Sequence, residues 1–335
     1  MTRHWHRGRR RSQLTHIASE STHIPASDVL RPKPETLPRD IPSISVPRAL
    51  IRVARPKQWV KNVLVFAAPG AAGVLGKPHF LLAALTVFAI FCVTASGTYM
   101  LNDSLDAATD RLHPEKRFRP VAAGHLSPTA AASIGALLMG AGIAWAALAS
   151  GLQLSIVMAT YVGITITYSL WLKHEPVVDL AAVAAGFVLR TIAGGVATHQ
   201  HLSHWFLIVA SFGSLFMVTG KRHAESLDLG ADLAATHRPI LAQYSNAFLR
   251  SVRTVAAAVT ITAYSLWAHQ KAVDARALGI WFQLSIVPFV IAILYYALLL
   301  DTGKGDTPEE IVIHDRRLQA FGVIWLALFA AGIYA

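Results

Sequence analysis

The sequence contains a single cysteine, Cys92, among 335 residues. One thiol cannot form an intrachain disulfide, and it cannot supply a metal site that needs several thiolates. Charged residues are also scarce, at 15% of the chain against 54% hydrophobic residues. This balance excludes an ordinary soluble domain, and the long apolar runs predict an all-α, polytopic membrane protein.

Acidic residues are fewer than basic ones, 19 against 30, so the formal net charge is +11. The excess does not indicate nucleic-acid binding, because thirteen of the thirty Lys and Arg precede residue 62 and most others flank apolar runs. That distribution is typical of membrane topology, and no nucleic-acid partner is expected. Residues 1–48, with clustered arginines and recurrent prolines, are predicted to be a disordered basic extension, and residues 49–335 to form the membrane domain.

The apolar runs number nine, so about nine transmembrane helices are predicted. They are residues 63–76, 80–101, 128–149, 153–172, 177–197, 204–219, 246–267, 277–300 and 318–335.

Basic residues are unevenly divided between the two sets of connecting loops. Past residue 62, loops 102–127, 173–176, 220–245 and 301–317 hold eleven Lys and Arg, and the opposite loops hold three. The excess of basic residues marks the cytoplasmic side. The chain is therefore predicted to be a multi-pass protein of the plasma membrane, with these loops in the cytoplasm.

The most informative stretch follows the second apolar run. Asp103, Asp106 and Asp110 are three and four residues apart, so a continuing helix would present them on one face beside Asn102. Carboxylates and amides are the ligands that Mg²⁺ prefers, usually shared with substrate phosphates. A basic cluster follows that suits the same phosphates, namely Lys116, Arg117 and Arg119. The alternative is a solvated helix end.

Two further polar segments lie at predicted helix ends on the same side. The first contains Tyr168, Lys173 and Asp179, with Arg190 about three turns deeper; a structural ion pair is the alternative there. The second, Lys221-Arg222-His223-Ala224-Glu225, ends the sixth apolar run, and a simple topology signal is its alternative. Both segments are expected to contribute to one shared pocket.

Residues 45–335 resemble the UbiA prenyltransferase superfamily. The resemblance is carried by the Asn102–Asp110 motif, by Arg117-Phe118-Arg119-Pro120 and by Gly124, Leu126 and Ser127. The segments from Arg55 to Asn62 and from Gly220 to Glu225 resemble the branch that transfers phosphoribosyl groups to polyprenyl phosphates.

The resemblance implies helices around a central cavity open to the cytoplasmic face, with Mg²⁺ and pyrophosphate at its mouth. It implies that Asp103, Asp106 and Asp110 are the catalytic metal ligands. The residues expected to bind substrate are Lys57, Lys61, Asn62, Asn102, Lys116, Arg117, Arg119, Tyr168, Lys173, Lys221, Arg222 and Glu225.

One departure from the superfamily pattern bears on the substrate. Its prenyltransferases carry a second D-x-x-x-D motif after the sixth span, where this chain has Lys221-Arg222. Exchanging acids for bases favours a substrate with an additional phosphate, as in phosphoribosyl pyrophosphate. The expected reaction is transfer of 5-phosphoribosyl to a polyprenyl (decaprenyl) phosphate, with release of pyrophosphate, for arabinogalactan cell-wall synthesis.

Two other functions remain open at this stage. One is a Mg²⁺-dependent prenyltransferase that uses a prenyl diphosphate and an aromatic or other small acceptor. The other is a transporter or lipid-binding scaffold, for which charges at mid-membrane would be expected; Arg190 is the one candidate. The sequence also leaves a homo-oligomer open.

Overall fold

The computed structural model describes residues 44–228, 239–275, 278–301, 311–312 and 314–334. Within these ranges the secondary structure is helical, with no strand. Of the predicted basic extension, residues 1–43 lie outside the described part. The all-α prediction is confirmed.

Ten α-helices follow one another along the described chain. They are α1 (Val46–Ala54), α2 (Ala67–Ala71), α3 (Pro78–Leu105), α4 (Ala107–Leu112), α5 (Pro128–Leu170), α6 (Val178–Ala197), α7 (His204–Asp228), α8 (Asn246–Ala275), α9 (Gly279–Asp301) and α10 (Arg316–Tyr334). Four 3₁₀ helices connect them, at Pro56–Phe66, Lys116–Phe118, Leu172–His174 and Pro239–Gln243.

Five of these helices, α3, α5, α6, α9 and α10, are long and apolar enough to cross a membrane. Helix α5 comprises two predicted spans, because the backbone leaves helical geometry at Ser150 and Gly151 and resumes it afterwards. Gly151 adopts a φ of +74°, which a residue without a β-carbon tolerates. The first predicted span differs, since it forms the 3₁₀ helix Pro56–Phe66 followed by the short α2. The count of nine spans stays a prediction.

Helices α3 and α5 begin where the local sequence favours a start. Both have proline in their first turn, where a missing N–H costs no hydrogen bond. Ser127 additionally caps α5, since its hydroxyl accepts a hydrogen bond from the Ala130 amide at 3.2 Å. Apolar faces from α3, α5 and α6 then pack with the Pro56–Phe66 segment in one core cluster that includes Val65, Phe91 and Leu154.

The Pro56–Phe66 segment is fixed closely against the bundle. A β-carbon added to Gly194 of α6 would lie 1.8 Å from the Val65 carbonyl oxygen, so only glycine permits this approach. Trp59 donates a hydrogen bond from its indole to the Ser96 hydroxyl at 3.2 Å. The segment therefore holds Arg55, at its beginning, in a set position beside the end of α3.

Polar contacts place four connecting regions at one end of the bundle. Lys173 contacts Asp106, and Arg222 contacts Asp179. Arg253 of α8 forms an ion pair with Asp301 at the end of α9. Arg253 also contacts His223 of α7, so the described ends of the loops that the charge bias grouped together are on the same side.

Arg190 lies deep in the bundle, and its guanidinium is held by neutral partners. Its side chain donates to the Asn62 amide oxygen at 2.8 Å, to the Gly186 carbonyl at 2.6 Å and to the Tyr161 hydroxyl at 3.1 Å. The ring of Phe91 faces the same guanidinium, whose central carbon lies 5.2 Å from the ring centroid. Among the described residues Arg190 therefore lacks the structural ion pair that was the alternative, and its role stays a prediction.

Candidate active site

The site begins at the carboxyl end of α3, where Asp103 is almost fully buried, with its side chain 2% exposed. Arg55 forms an ion pair with its Oδ1 atom, and Arg119 approaches the same oxygen to 3.3 Å. Two arginines from distant parts of the chain thus converge on one carboxylate. Burying that charge is tolerable because both cations are in direct contact.

Asp110 joins the same group through Arg119, whose Nη1 atom lies 2.7 Å from its Oδ2. The single helix that would present all three aspartates on one face does not continue through this stretch. Helix α3 ends at Leu105, Asp106 has non-helical backbone angles, and the short α4 carries Asp110. Arg119 nevertheless bridges Asp103 and Asp110 and keeps the two carboxylates on one side.

Asp106 is the most accessible of the three, with 29% of its side chain exposed. Its two oxygens have different partners: Lys173 donates to Oδ1 at 2.9 Å, and the Asn102 amide donates to Oδ2 at 3.0 Å. Lys173 comes from the 3₁₀ helix that follows α5, so this contact joins the ends of α3 and α5.

The next question is whether Asn102 and the three aspartates have the chemistry to bind Mg²⁺. Among the residues that the structure describes, no three Asp, Glu, His or Cys side chains lie close enough together to hold an ion. The donor chemistry fits nonetheless, because three carboxylates and an amide lie within nine consecutive residues. Each carboxylate contacts a cationic side chain, and its role as a metal ligand stays a prediction.

A second cluster is centred on Arg222 of α7, which is 4% exposed. Its guanidinium donates to Asp179 at 3.1 Å, to Glu225 at 3.0 Å and to the Tyr168 hydroxyl at 3.1 Å. All three of its nitrogens are thereby engaged. The role of Arg222 in binding a substrate phosphate stays a prediction, while its burial and three protein partners also give it a positioning role.

Tyr244 completes this cluster from the other side of Asp179. Its hydroxyl donates to the Asp179 carboxylate and accepts from the Val177 amide at 2.7 Å. Burial, together with the hydrogen bond to Asp179, raises the pKa of Tyr244 to about 12. The phenol therefore keeps its proton at neutral pH and continues to donate to Asp179.

The two clusters are neighbours because both involve the end of α5. Tyr168, in the last turn of that helix, contacts Arg222, and Lys173, just beyond it, contacts Asp106. Lys221 lies one residue before Arg222 with 36% of its side chain exposed, and its nearest carboxylate oxygen on Glu225 is 4.0 Å away. The three segments predicted to share a pocket are thus joined by direct contacts, and the pocket itself stays a prediction.

The other predicted substrate residues have different positions. Lys57 is exposed and Lys61 half-buried on the Pro56–Phe66 helix, and Lys116 and Arg117 form the 3₁₀ helix after α4. Arg117 stacks over Phe118, with 4.9 Å between its guanidinium carbon and the ring centroid. These four placements leave their predicted roles as predictions.

Asn62 lies deeper in the bundle than Asp103. It is 1% exposed, accepts from Arg190, and donates to the Cys92 sulfur at 3.3 Å. Cys92 precedes Asp103 by eleven residues, so this contact lies about 16 Å deeper along α3. Asn62 thus holds a buried arginine in place, and its predicted contact with substrate stays a prediction.

Three residues of these clusters were absent from the predicted site residues, although Asp179 belonged to a segment expected to reach the shared pocket. Arg55 stands inside the Arg55–Asn62 motif, so its charge and position were a usable signal. Tyr244 had no such signal, because it is 65 residues away from Asp179 in the sequence and belongs to no recognised motif.

Comparison with known proteins decides the family. The sequence matches the UbiA prenyltransferase family over residues 63–332. This chain belongs to that family. The family resemblance predicted from the Asn102–Asp110 motif is thereby confirmed.

Sequence relatives within the UbiA family are close. The chain is 43% identical over 288 residues to decaprenyl-phosphate phosphoribosyltransferase of Corynebacterium glutamicum, covering 85% of this chain and 86% of the relative. It is 41% identical over 313 residues to the enzyme of the same name from Mycolicibacterium smegmatis, covering 90% and 97%.

Solved structures agree on the fold. A UbiA homologue from Archaeoglobus fulgidus bound to DMAPP and Mg²⁺ aligns with a TM-score of 0.65 at 18% identity, covering 85% of this chain and 97% of that one. Identity at this level shows the UbiA fold alone.

Proposed function

We propose that this protein transfers 5-phosphoribosyl from phosphoribosyl pyrophosphate to decaprenyl phosphate and releases pyrophosphate. The observation that carries this function is the 41% identity to a decaprenyl-phosphate phosphoribosyltransferase across 90% of this chain. The site supports this function, because a cluster of carboxylates and a cluster of basic side chains lie next to each other. The product would serve the synthesis of cell-wall arabinogalactan.

The reaction is a substitution at the anomeric carbon of ribose. A phosphate oxygen of the lipid forms the new bond to C1, and the C1–O bond to pyrophosphate breaks, with both electrons leaving on pyrophosphate. The attacking oxygen is already anionic at neutral pH, so no strong general base is needed. Positive charge and positioning are the contributions required of the protein.

Asp103, Asp106 and Asp110 would hold Mg²⁺, with Asn102 assisting. When bound, Mg²⁺ neutralises charge on the departing pyrophosphate. Arg55, Arg119 and Lys173 already lie within ion-pair distance of these carboxylates. They are therefore placed to neutralise the oxygens of the departing pyrophosphate as well. The two arginines can also bind phosphate through two nitrogens at once.

Purified protein in decaprenyl-phosphate micelles tests the function. With radiolabelled phosphoribosyl pyrophosphate and Mg²⁺, we expect label to enter the lipid fraction, and EDTA to prevent it. A parallel incubation with a prenyl diphosphate and aromatic acceptors is expected to yield no product. Prenyl transfer without phosphoribosyl transfer would instead establish the prenyltransferase alternative.

Lys221 is proposed to contact the 5-phosphate of the donor. We expect Lys221→Gln to weaken donor affinity by one to two orders of magnitude, since a charge-assisted contact contributes roughly 1.5–3 kcal/mol. The KM for phosphoribosyl pyrophosphate should rise while the KM for the lipid is unchanged. Lys271→Gln, near the end of α8 that is remote from Arg253, is the matched control.

A donor analogue without the 5-phosphate identifies the contact. Wild type and Lys221→Gln should bind this analogue equally weakly. If Lys221→Gln weakened its binding as much as that of the full donor, the contact would lie elsewhere on the molecule.

The protein is a multi-pass membrane protein, and we propose that the site faces the cytoplasm across the plasma membrane. In a Cys92→Ser background, we expect a cysteine at position 274 to react with an impermeant thiol reagent added to intact cells, and one at position 109 to remain unreactive. Asp274 and Thr109 are both exposed, so accessibility alone does not distinguish them. The reverse labelling pattern would place the site outside.

A further inference from the structure

A second buried arginine, Arg253 of α8, lies beside the candidate site but outside its two clusters. Its side chain is 4% exposed, and its two terminal nitrogens have different partners. The Nη2 atom forms an ion pair with Asp301 at the end of α9, and Nη1 lies 3.2 Å from the Nδ1 atom of His223 on α7. One buried guanidinium therefore connects the polar ends of three helices.

The direction of the hydrogen bond to His223 follows from the chemistry of the two groups. A guanidinium has donors and no acceptor, so Nδ1 of the imidazole must accept and the ring proton is on Nε2. The His223 residue is 1% exposed, and its Nε2 atom is buried without a hydrogen-bond partner among the described residues. Within the described chain, His223 thus depends on Arg253 for the hydrogen bond that orients its ring.

Three consecutive residues of α7 point in different directions, because successive residues are about 100° apart around a helix. Arg222 faces Asp179 of α6, whereas His223 faces α8. Lys221, one position earlier, has 36% of its side chain exposed. This turn of α7 is therefore held by buried polar contacts to α6 on one side and to α8 on the other. Together these contacts set the rotation of α7 about its axis, and with it the direction of Lys221.

We propose that Arg253 is a positioning residue for the phosphoribosyl donor, and that it acts through His223 on the turn of α7 that carries Lys221. The inference rests on the proposed function, in which Lys221 contacts the 5-phosphate of the donor. A charge-assisted hydrogen bond requires a set distance and direction, so a small rotation of α7 weakens it. Asp301 completes the arrangement, because its carboxylate compensates the buried charge of Arg253.

Removal of the imidazole acceptor tests the inference. We expect His223→Leu to raise the KM for phosphoribosyl pyrophosphate about five- to tenfold, because α7 loses its hydrogen bond to Arg253. The kcat and the KM for decaprenyl phosphate should stay near their wild-type values. In His223→Gln the amide oxygen can accept from Arg253 instead, so this conservative variant should restore a donor KM close to that of wild type.

Tyr264→Phe is the matched control for the loss of a buried polar contact. It removes the hydrogen bond between the hydroxyls of Tyr264 and Ser285, which are 2.7 Å apart and join α8 to α9. Tyr264 is eleven residues, or about 16 Å, along α8 from Arg253. We expect Tyr264→Phe to leave kcat and both KM values unchanged. A donor KM raised equally in Tyr264→Phe and His223→Leu would overturn the inference, because general loosening of the bundle would explain both.

A double mutant shows whether the effect passes through Lys221. Combining His223→Leu with Lys221→Gln should raise the donor KM no further than Lys221→Gln does alone. Effects that multiply in the double mutant, or a wild-type donor KM in His223→Leu, would overturn the inference. Should His223→Leu fail to fold, Arg253→Lys is measured in its place with the same expectation, since lysine keeps the charge beside Asp301 but has one nitrogen for two partners.

Failure of the proposed function would look different. Wild type would then transfer no phosphoribosyl to decaprenyl phosphate, and no donor KM could be compared. A wild-type donor KM in Lys221→Gln would overturn this inference together with the Lys221 contact, but not the proposed reaction.

Discussion

We expect Asp106→Asn to lower kcat by two to three orders of magnitude while the protein remains folded. Asp106 is the most exposed of the three aspartates, and its Oδ1 contacts Lys173. Asparagine keeps the size of the side chain but removes the negative charge that Mg²⁺ requires. A loss of about 3–4 kcal/mol of transition-state stabilisation corresponds to this decrease in rate.

The measurement is steady-state transfer at saturating lipid and Mg²⁺, accompanied by thermal unfolding in detergent. Asp274→Asn is the matched control, because that carboxylate is exposed and lies away from the site. Asp106→Asn with near wild-type kcat at every Mg²⁺ concentration would contradict the metal assignment.

Asp103 is a less suitable position for the same experiment. Its carboxylate is buried against Arg55 and Arg119, so its removal leaves two cations without that partner. Asp103→Ala is therefore expected to lower stability as well as turnover.

Arg222→Gln is expected to destabilise the protein by about 3–5 kcal/mol, the cost of removing one partner from a buried ion pair. Asp179 is completely buried, and Arg222 is its cationic partner. Glutamine cannot supply the positive charge or three donating nitrogens. Thermal unfolding in detergent should shift to markedly lower temperature, in contrast to Lys221→Gln, which removes a half-exposed charge and should unfold like wild type.

A double mutant separates this effect from general damage. Asp179→Asn combined with Arg222→Gln removes both charges, so we expect the pair to be more stable than Arg222→Gln alone. Additive losses in the double mutant would show that the ion pair is not the source of the stability. Normal unfolding of Arg222→Gln would contradict the positioning role itself.

Several features could be predicted from residues alone because their signal is local. Apolar runs longer than a bilayer is thick predict helices, and basic residues at alternate loops predict which loops share a side. The spacing of Asn102, Asp103, Asp106 and Asp110, with arginines close behind, predicted a site for anions and a divalent ion. These inferences depend on neighbours in the chain, and the structure brings the predicted segments together.

The partners of each charge depended on the tertiary structure. Lys221 and Arg222 are adjacent in sequence and equal in charge, yet the helix directs one outward and buries the other against Asp179, Glu225 and Tyr168. Asn62 belongs to a motif that resembles a substrate segment, yet it faces Arg190, 128 residues away. Arg55 reaches Asp103 across 48 residues because Gly194 lets the intervening segment pack tightly against α6.

The sequence by itself determined a helical membrane protein with an aspartate-rich site at one end. Which charges face a substrate and which hold the helices together was decided by packing, since burial and partner choice depend on contacts between segments far apart in the chain.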